Sequence, residues 1–552
     1  AVKYIGLGTN LKFYVVEGVK PNDVTPLRAT TSAGDVTFSA SSGSSAITVT
    51  DTSHGASQND FVTFSGASSL GGNITATVLN QEYQISAIST ANAYTVTAKD
   101  TDGDTVTADS SDSGNGGSSV VGAYQITSGL NTYVPAVGWG ADPWGDGTWG
   151  SGTALGTSGQ LRLYSQDNFG EDLIFNVRNG GIYYWDQSSG LDTRGANITA
   201  LGGASDCPTV AAQVLVSDND QHIIAFGANT LGSATQDPLL VRWSDQESAA
   251  DWTPTATNTS GGVRVNSGSA IVGAVQTRQE ILIWTDTSLH SMRFVGAPFV
   301  FQFTTLSTDV AMISPNAAVN ARGNVFFMDK TGFYIYNGAV QQLPCSVQDY
   351  VLSNINMSQA FKVFAAENNA FSEIIWFYPV GSGTPDITNY VSYNYAENVW
   401  AVGTLARGGW LDSGVLNGPV GSSVVTDTGG ANYLYSHESG YDDDGSAMTA
   451  YIESGDLEIG DGERFTMINR VVPDFSFSGD VDEASIAMTI KGSNYPLETA
   501  SSLATSTITN STTQSDIRAR ARHTILRVES SGVGFGWRLG GFRFGMRQDG
   551  RR

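Results

Sequence analysis

The chain has 552 residues, more than one ordinary core holds, so several domains or one large β architecture are expected. Charged residues make up 15%, below the roughly 25% of typical soluble proteins. The 40% hydrophobic fraction is enough for a folded core. The 28 Lys+Arg against 53 Asp+Glu give a net charge of −25. That excludes a chain whose main task is to grip phosphates, which takes clustered cations. Two cysteines, Cys207 and Cys345, make no disulfide framework, and five scattered histidines show no metal-ligand spacing. No charged-then-apolar leader is visible and no apolar run approaches 18 residues, so a soluble, non-secreted chain is expected.

Taken in chain order, the segments read as strands. Short runs of Val, Ile, Thr, Tyr and Phe alternate with Gly, Asn, Asp and Ser clusters, an all-β pattern. Residues 1–28 carry a first aromatic strand, 11–18 (LKFYVVEG). Residues 29–122 change texture: they lack Trp, are rich in Ser, Thr, Ala and Gly, and hold alternating strands at 46–50, 61–64, 83–88 and 94–98. They read as an inserted small β-barrel or sandwich module with its two ends close together.

From 123 to 448 a degenerate repeat runs at 40 to 60 residues, the size of a propeller blade. Its aromatic strands lie at 181–186 (GIYYWD), 239–245 (LLVRWSD), 288–296 (SLHSMRFVG), 332–338 (GFYIYNG), 390–398 (YVSYNYAEN) and 432–437 (NYLYSH). A plainer apolar strand precedes most of them, at 172–177, 221–226, 280–284, 324–328 and 373–378. The pattern predicts a β-propeller of six or seven blades, with stacked β-sandwiches as the alternative. Helical spacing over more than about ten residues is hard to find, and the best candidate for a helix is around 346–356. Residues 449–552 read as a separate β-sandwich-like platform domain. Its end reverses the charge: residues 501–552 hold nine arginines and three carboxylates, +6, which leaves −31 for the first 500.

Signatures of chemistry are few. There is no Walker A segment, and no G-x-S-x-G elbow. The one G-x-G-x-x-G, Gly145 to Gly150, follows a Trp/Gly loop instead of a strand and opens no helix. Asp100, Asp102 and Asp104 resemble a calcium loop, but Thr105 and Ser111 stand where an EF-hand needs Gly and Glu. Asp442 to Asp444 read as a charged loop tip. Carboxylate pairs of the kind a glycosidase uses, Glu171–Asp172 and Asp245 with Glu247, sit in turns and read as surface charge. Trp139, Trp144 and Trp149 read as packing anchors of a glycine-rich loop, with a sugar platform as the rival reading. No cofactor and no metal are expected.

Several segments, in their order, resemble the tail nozzle (tail hub, tail tubular or tail accessory) proteins of short-tailed bacteriophages. They are 23–28 (DVTPLR), the 139–150 tryptophan loop, 159–186 with its FGEDL, 242–254 (RWSDQESAADWTP), 281–296, 374–379 and the arginine-rich close from 517 to 552. The resemblance implies a propeller body with a β platform, assembled as a hexameric ring in the virion tail. It places the ring below the portal and the tail adaptor ring, continuing the DNA-ejection channel, with tail fibres or spikes attached and the host cell surface met during infection. It implies no enzymatic activity and no catalytic residue. Six copies of a −25 chain carry about −150 charges, and an anionic lumen lets phage DNA slide without tight binding. Asp142, Asp146, Glu171 and Asp172 are the channel-lining candidates. Arg518, Arg520, Arg522, Arg538, Arg543 and Arg547 are the assembly-interface candidates, facing the adaptor or a neighbouring subunit. The alternatives are a tailspike-like glycan depolymerase and a carbohydrate-binding adhesin.

Overall fold

The structure, a computed structural model, describes residues 4–133, 161–381, 385–412, 418–424, 433–458, 463–495 and 497–550. Strand dominates. The longest helix among the described residues, Gln348–Asn354, has seven residues and lies within the expected 346–356 stretch. Two compact units part between His437 and Glu438. Sequence texture placed that boundary near 448. The intervening turns belong to the second unit because Tyr441 packs flat on Gly479 and Gly536, where an added Cβ would come within 2.7 Å of its ring.

The first unit is a β-propeller. Five antiparallel four-stranded sheets follow one another at 164–197, 213–264, 271–307, 318–343 and 364–404, with a three-stranded sheet on either side, at 4–23 and 409–436. In the five complete blades the first strands lie side by side around an axis. Ser165 Oγ and Asp167 Oδ2 accept from the amides of Val214 and Val216, at 2.8 and 2.9 Å. The amide of Gln213 exchanges two 2.8 Å hydrogen bonds with the backbone of Ala274. Asn320 Nδ2 donates to the carbonyl of Gln276 at 3.0 Å. The second strands, such as Ile281–Thr285 and Glu373–Pro379, are buried on both faces. This is why they read as unbroken apolar runs instead of alternating ones. The repeating aromatic segments form the third strands, among them Ile182–Trp185, Leu240–Trp243 and Gly332–Tyr336.

The sheet at 4–23 departs from this order. Its aromatic strand Phe13–Glu17 is the middle one, and Phe13 stacks on Phe175 at 4.1 Å. Gly6 lies against Gln166 and Gly8 against Tyr164, so Tyr4–Gly8 runs opposite to Tyr164–Phe169.

In the second unit two sheets share one core. Ala450–Glu453, His523–Ser530, Ser485–Ser493 and Ser501–Thr509 form one; Ser515–Ala521, Phe465–Val472 and Arg543–Asp549 form the other. Ile486, Met488, Ile490 and Val528 from the first meet Ile468, Val471 and Ala519 from the second. A ribbon of Phe475–Gly479 and Phe535–Leu539 completes the unit.

Between Asp23 and Gln125 the chain leaves the propeller to build a seven-stranded sheet around its own core, with Val49, Val62, Ile85 and Tyr94 fully buried. Its first strand, Leu27–Thr30, pairs antiparallel with its last, Val121–Gln125, so entry and exit lie side by side. An ion cluster ties it to the propeller. Lys12 Nζ binds Asp23 Oδ2 at 3.0 Å and also Glu82 Oε1, Arg194 approaches both carboxylates at 3.6 Å, and Gln125 Nε2 donates to Glu82 at 2.6 Å. Burial alone pulls the Lys12 pKa down, but Glu82 and Asp23 outweigh it and hold the ammonium above its ordinary 10.5. Burial likewise pushes Asp23 up, yet hydrogen bonds from Thr25 and the Lys12 charge hold it below 3.8. The Asp23 contribution is present above its unfolded pKa and lost as pH falls through the lower folded value. The Lys12 contribution is present below 10.5 and lost as pH rises through the higher folded value. Urea unfolding of Lys12→Met is expected to show a loss of about 1–3 kcal/mol at neutral pH. The alkaline decline above pH 10.5 should weaken with it.

Candidate functional site

The arginine-rich close of the sequence resolves into a surface. In the sheet Ser515–Ala521, Phe465–Val472, Arg543–Asp549, directly opposed residues share a face. Met467 lies opposite Arg520 and Arg547, Arg470 opposite Asp516 and Gly545, and Val472 opposite Arg543. Ile468, Ala519 and Phe544 point to the core. The outer face therefore carries Arg470, Arg518, Arg520, Arg543 and Arg547, all exposed, beside only Asp516 and Asp549. Neighbours two apart on one strand stand roughly 7 Å apart. Gly545 is required here, since a Cβ would meet Asn469 Oδ1 at 2.6 Å and Arg470 Cβ at 3.1 Å.

Arg520 is already engaged. It lies 3.8 Å over the Phe465 ring and donates to Asp549 at 2.7 Å, which holds that carboxyl below its ordinary range. Arg522 sits beside this face, over Phe465 and Tyr495. Arg538 lies elsewhere, on the ribbon strand opposite Ser476. Among the described residues, Arg470, Arg518, Arg543 and Arg547 have no carboxylate within ion-pair distance. Arg470 was not among the sequence candidates: it stands 48 residues before Arg518, and only strand register brings it in.

The acidic candidates are not gathered in the same way. Asp142 and Asp146 lie outside the described residues, as do the tryptophans of that loop. Glu171 is exposed in the turn before Asp172–Val177. Asp172 serves its own blade, accepting from Tyr184 Oη and, at 3.0 Å, from the amide of Gln187.

At the propeller axis, the mouth where the first strands begin is filled. Arg178 reaches from the 164–197 blade to the carbonyls of Ala212 and Ile271, at 3.4 and 3.2 Å, and lies 5.6 Å over the Phe361 ring. Burial pulls its pKa down to about 10. Tyr133 stacks on Phe361 at 4.9 Å and is clamped by Gln359, which accepts from its amide at 2.9 Å and donates to its carbonyl at 3.0 Å.

Groups with reactive chemistry are mostly bound into the framework. Asp220, His222 and Thr259 are linked in the order of an acid–base–nucleophile relay, His222 Nε2 lying 3.0 Å from Thr259 Oγ1. His222 is fully buried, and the Thr259 hydroxyl donates to Asp245 at 2.6 Å, so the chain is a structural one. Burial works to raise Asp245, but the two Thr259 hydrogen bonds prevail and keep it below 3.8; Glu247 faces solvent. Glu367, on the first strand Phe364–Asn368, is pushed up by burial and by the charge of Asp412 next to the neighbouring first strand. This pair is 45 residues apart, and no local pattern in the sequence announces it. Asp100 Oδ1 accepts from the amides of Asp102 and Asp104 at 3.0 and 2.8 Å, which makes an Asx turn of the calcium-like run. No group of three metal-ligating side chains occurs among the described residues.

No protein family matches this chain, and no curated protein matches it. Among solved structures it is similar to Hsv2 of Kluyvelomyces marxianus, with a TM-score of 0.25 and 9% identity over 43% of this chain; it spans 62% of that one. A KlHsv2 variant with loop 6CD replaced by a Gly-Ser linker gives 0.30 and 11%, over 58% of this chain and 93% of that one. The endosialidase of phage phi92 gives 0.20 and 12%, over 80% of this chain and 77% of that one. No activity is carried over from any of them.

Two outcomes are expected here. Gln359→Ala leaves both backbone groups of Tyr133 without their partner and should lower stability by about 1–3 kcal/mol in urea unfolding. Calcium at millimolar concentration should leave the melting temperature unchanged, with Asp102→Ala/Asp104→Ala behaving alike with and without it.

Proposed function

We propose that this chain is a structural component of a short phage tail, a ring-forming nozzle that continues the DNA channel and carries fibres or spikes. The observation that carries the reading is the charge polarity of the fold. The unit Ala1–His437 holds 16 Lys+Arg against 36 Asp+Glu, a net −20, while the other unit concentrates its cations on one sheet face. An acidic surface repels phosphate and a cationic face suits protein docking, so transport and attachment use different parts of the chain. The sequence resemblance supports the same reading. Because Arg178, Tyr133, Gln359 and Phe361 fill the axial mouth of the propeller, the DNA path in this reading runs between copies and not along any propeller axis.

A glycan depolymerase is the second reading. In its favour, Glu367 lies on the first strand Phe364–Asn368 and Asp412 directly follows the neighbouring strand Gly409–Leu411. That strand packs against Phe364–Asn368, with Trp410 Nε1 donating to the Glu367 carbonyl at 3.2 Å. Release of reducing ends from capsular or lipopolysaccharide glycans, lost in Glu367→Gln, would establish it.

The deciding measurement is the mass of the purified 58.2 kDa chain, alone and on its tail adaptor. A six-copy ring, or a monomer that becomes one on the adaptor, is expected. A stable trimer would replace the nozzle with a spike.

A further inference from the structure

Resting on the nozzle reading, we infer that the arginine face of the second unit docks on a carboxylate-rich surface of the Ala1–His437 unit of a second copy of this chain. Three observations lead there. Every cation on the face is an arginine, which stays charged and binds planar carboxylates through two parallel hydrogen bonds, whereas lysine acts as a point charge. Its two carboxylates fall short of neutralising it: Asp549 is paired with Arg520 and feels Arg547 only from beyond ion-pair distance, and Gln514 Nε2 donates to Asp516 at 2.8 Å. Four of its five guanidiniums thus lack an ion-pair partner among the described residues.

The complementary charge is on the same molecule type. The first unit carries −20, and its acidic excess faces solvent at Asp102, Asp104, Glu171, Asp218 and Glu247. Two copies of −25 repel each other as a −25 chain repels DNA, so within the screening length the local face decides and not the net charge. The same face attracts phosphate, and a DNA duplex therefore enters the test as the competing ligand. The inferred contact joins unlike surfaces of two copies. It is either reciprocated in a two-fold pair or propagates head to tail, closing as a ring where the rotation permits; the nozzle reading takes the ring.

The test is sedimentation of the full chain over a salt series, with the fourfold variant Arg470→Gln/Arg518→Gln/Arg543→Gln/Arg547→Gln alongside. Assembly at about 50 mM salt that dissolves by about 500 mM, as expected for partly exposed ion pairs, and that the variant lacks, supports the inference. The wild-type salt series stands even if the variant misfolds, which far-ultraviolet circular dichroism would reveal. Assembly that ignores salt, or persists in a folded variant, overturns the inference and leaves the nozzle reading intact. A single-chain mass at every salt overturns it as well, with the adaptor experiment left to judge the nozzle. A labelled DNA duplex bound by wild type and released by the variant would overturn it in favour of a nucleic-acid contact.

Discussion

The propeller depends on one constraint: the first strands of its blades must lie side by side without sharing a ladder. Side chains make most of the junctions, and one backbone bridge, the Ala365 amide donating to the Asn316 carbonyl at 2.7 Å, joins the 318–343 and 364–404 blades. Gln213 imitates a backbone pair against Ala274, and Ser165 and Asp167 accept from the next blade's amides. With this axis fixed, each second strand is caught between two neighbours and loses its solvent face. Further out, adjacent blades diverge, and the widening gap needs larger side chains. Phe333 meets Trp376 and Trp400 of the following blade at 4.9 and 4.8 Å, and Trp243 meets Phe301 at 5.1 Å. The gradient in side-chain size from first strands such as Ala318–Ala321 to third strands such as Gly332–Tyr336 follows from that wedge shape.

The same gradient explains what the sequence makes legible. Second strands such as 373–379 (EIIWFYP) and third strands such as 332–336 (GFYIY) stand out because burial on both faces or wedge filling constrains every position. First strands such as Ala318–Ala321 and Gln213–Val216 are short, and what they need is a hydrogen-bonding side chain in one place, which composition does not reveal. The compact units part about ten residues before the change in texture, and Tyr441, lying against Gly479 and Gly536, is a long-range contact of the intervening turns that composition does not announce. The basic close was visible as charge, but its shape was not. Register alone separates Arg547, on the common face, from Arg538, on the ribbon, and recruits Arg470 from far upstream.

Charge and shape are divided between the two units in a consistent manner. The acidic excess is spread over turns of the propeller and its inserted module, where carboxylates such as Asp172 and Asp245 also cap local backbone. The cations of the second unit are placed by a regular sheet, which fixes their spacing far better than turns do. Asp172 shows the cost of that division for a reader of sequence: it stands in a row of acids, yet its oxygens are committed to Tyr184 and Gln187 of its own blade.

The inserted module enters and leaves through neighbouring strands, Thr30 opposite Ala123, beside the ion cluster of Lys12, Asp23, Glu82 and Arg194. A junction of this kind is a socket. Its requirements are that two chain ends arrive one strand-width apart and that the domain between them offers a carboxylate where Glu82 meets Lys12. Any small domain meeting both conditions can replace the module, or a tight hairpin meeting them can substitute for it, without shifting the register of a single blade. At this position the protein can exchange a whole surface while its framework stays the same.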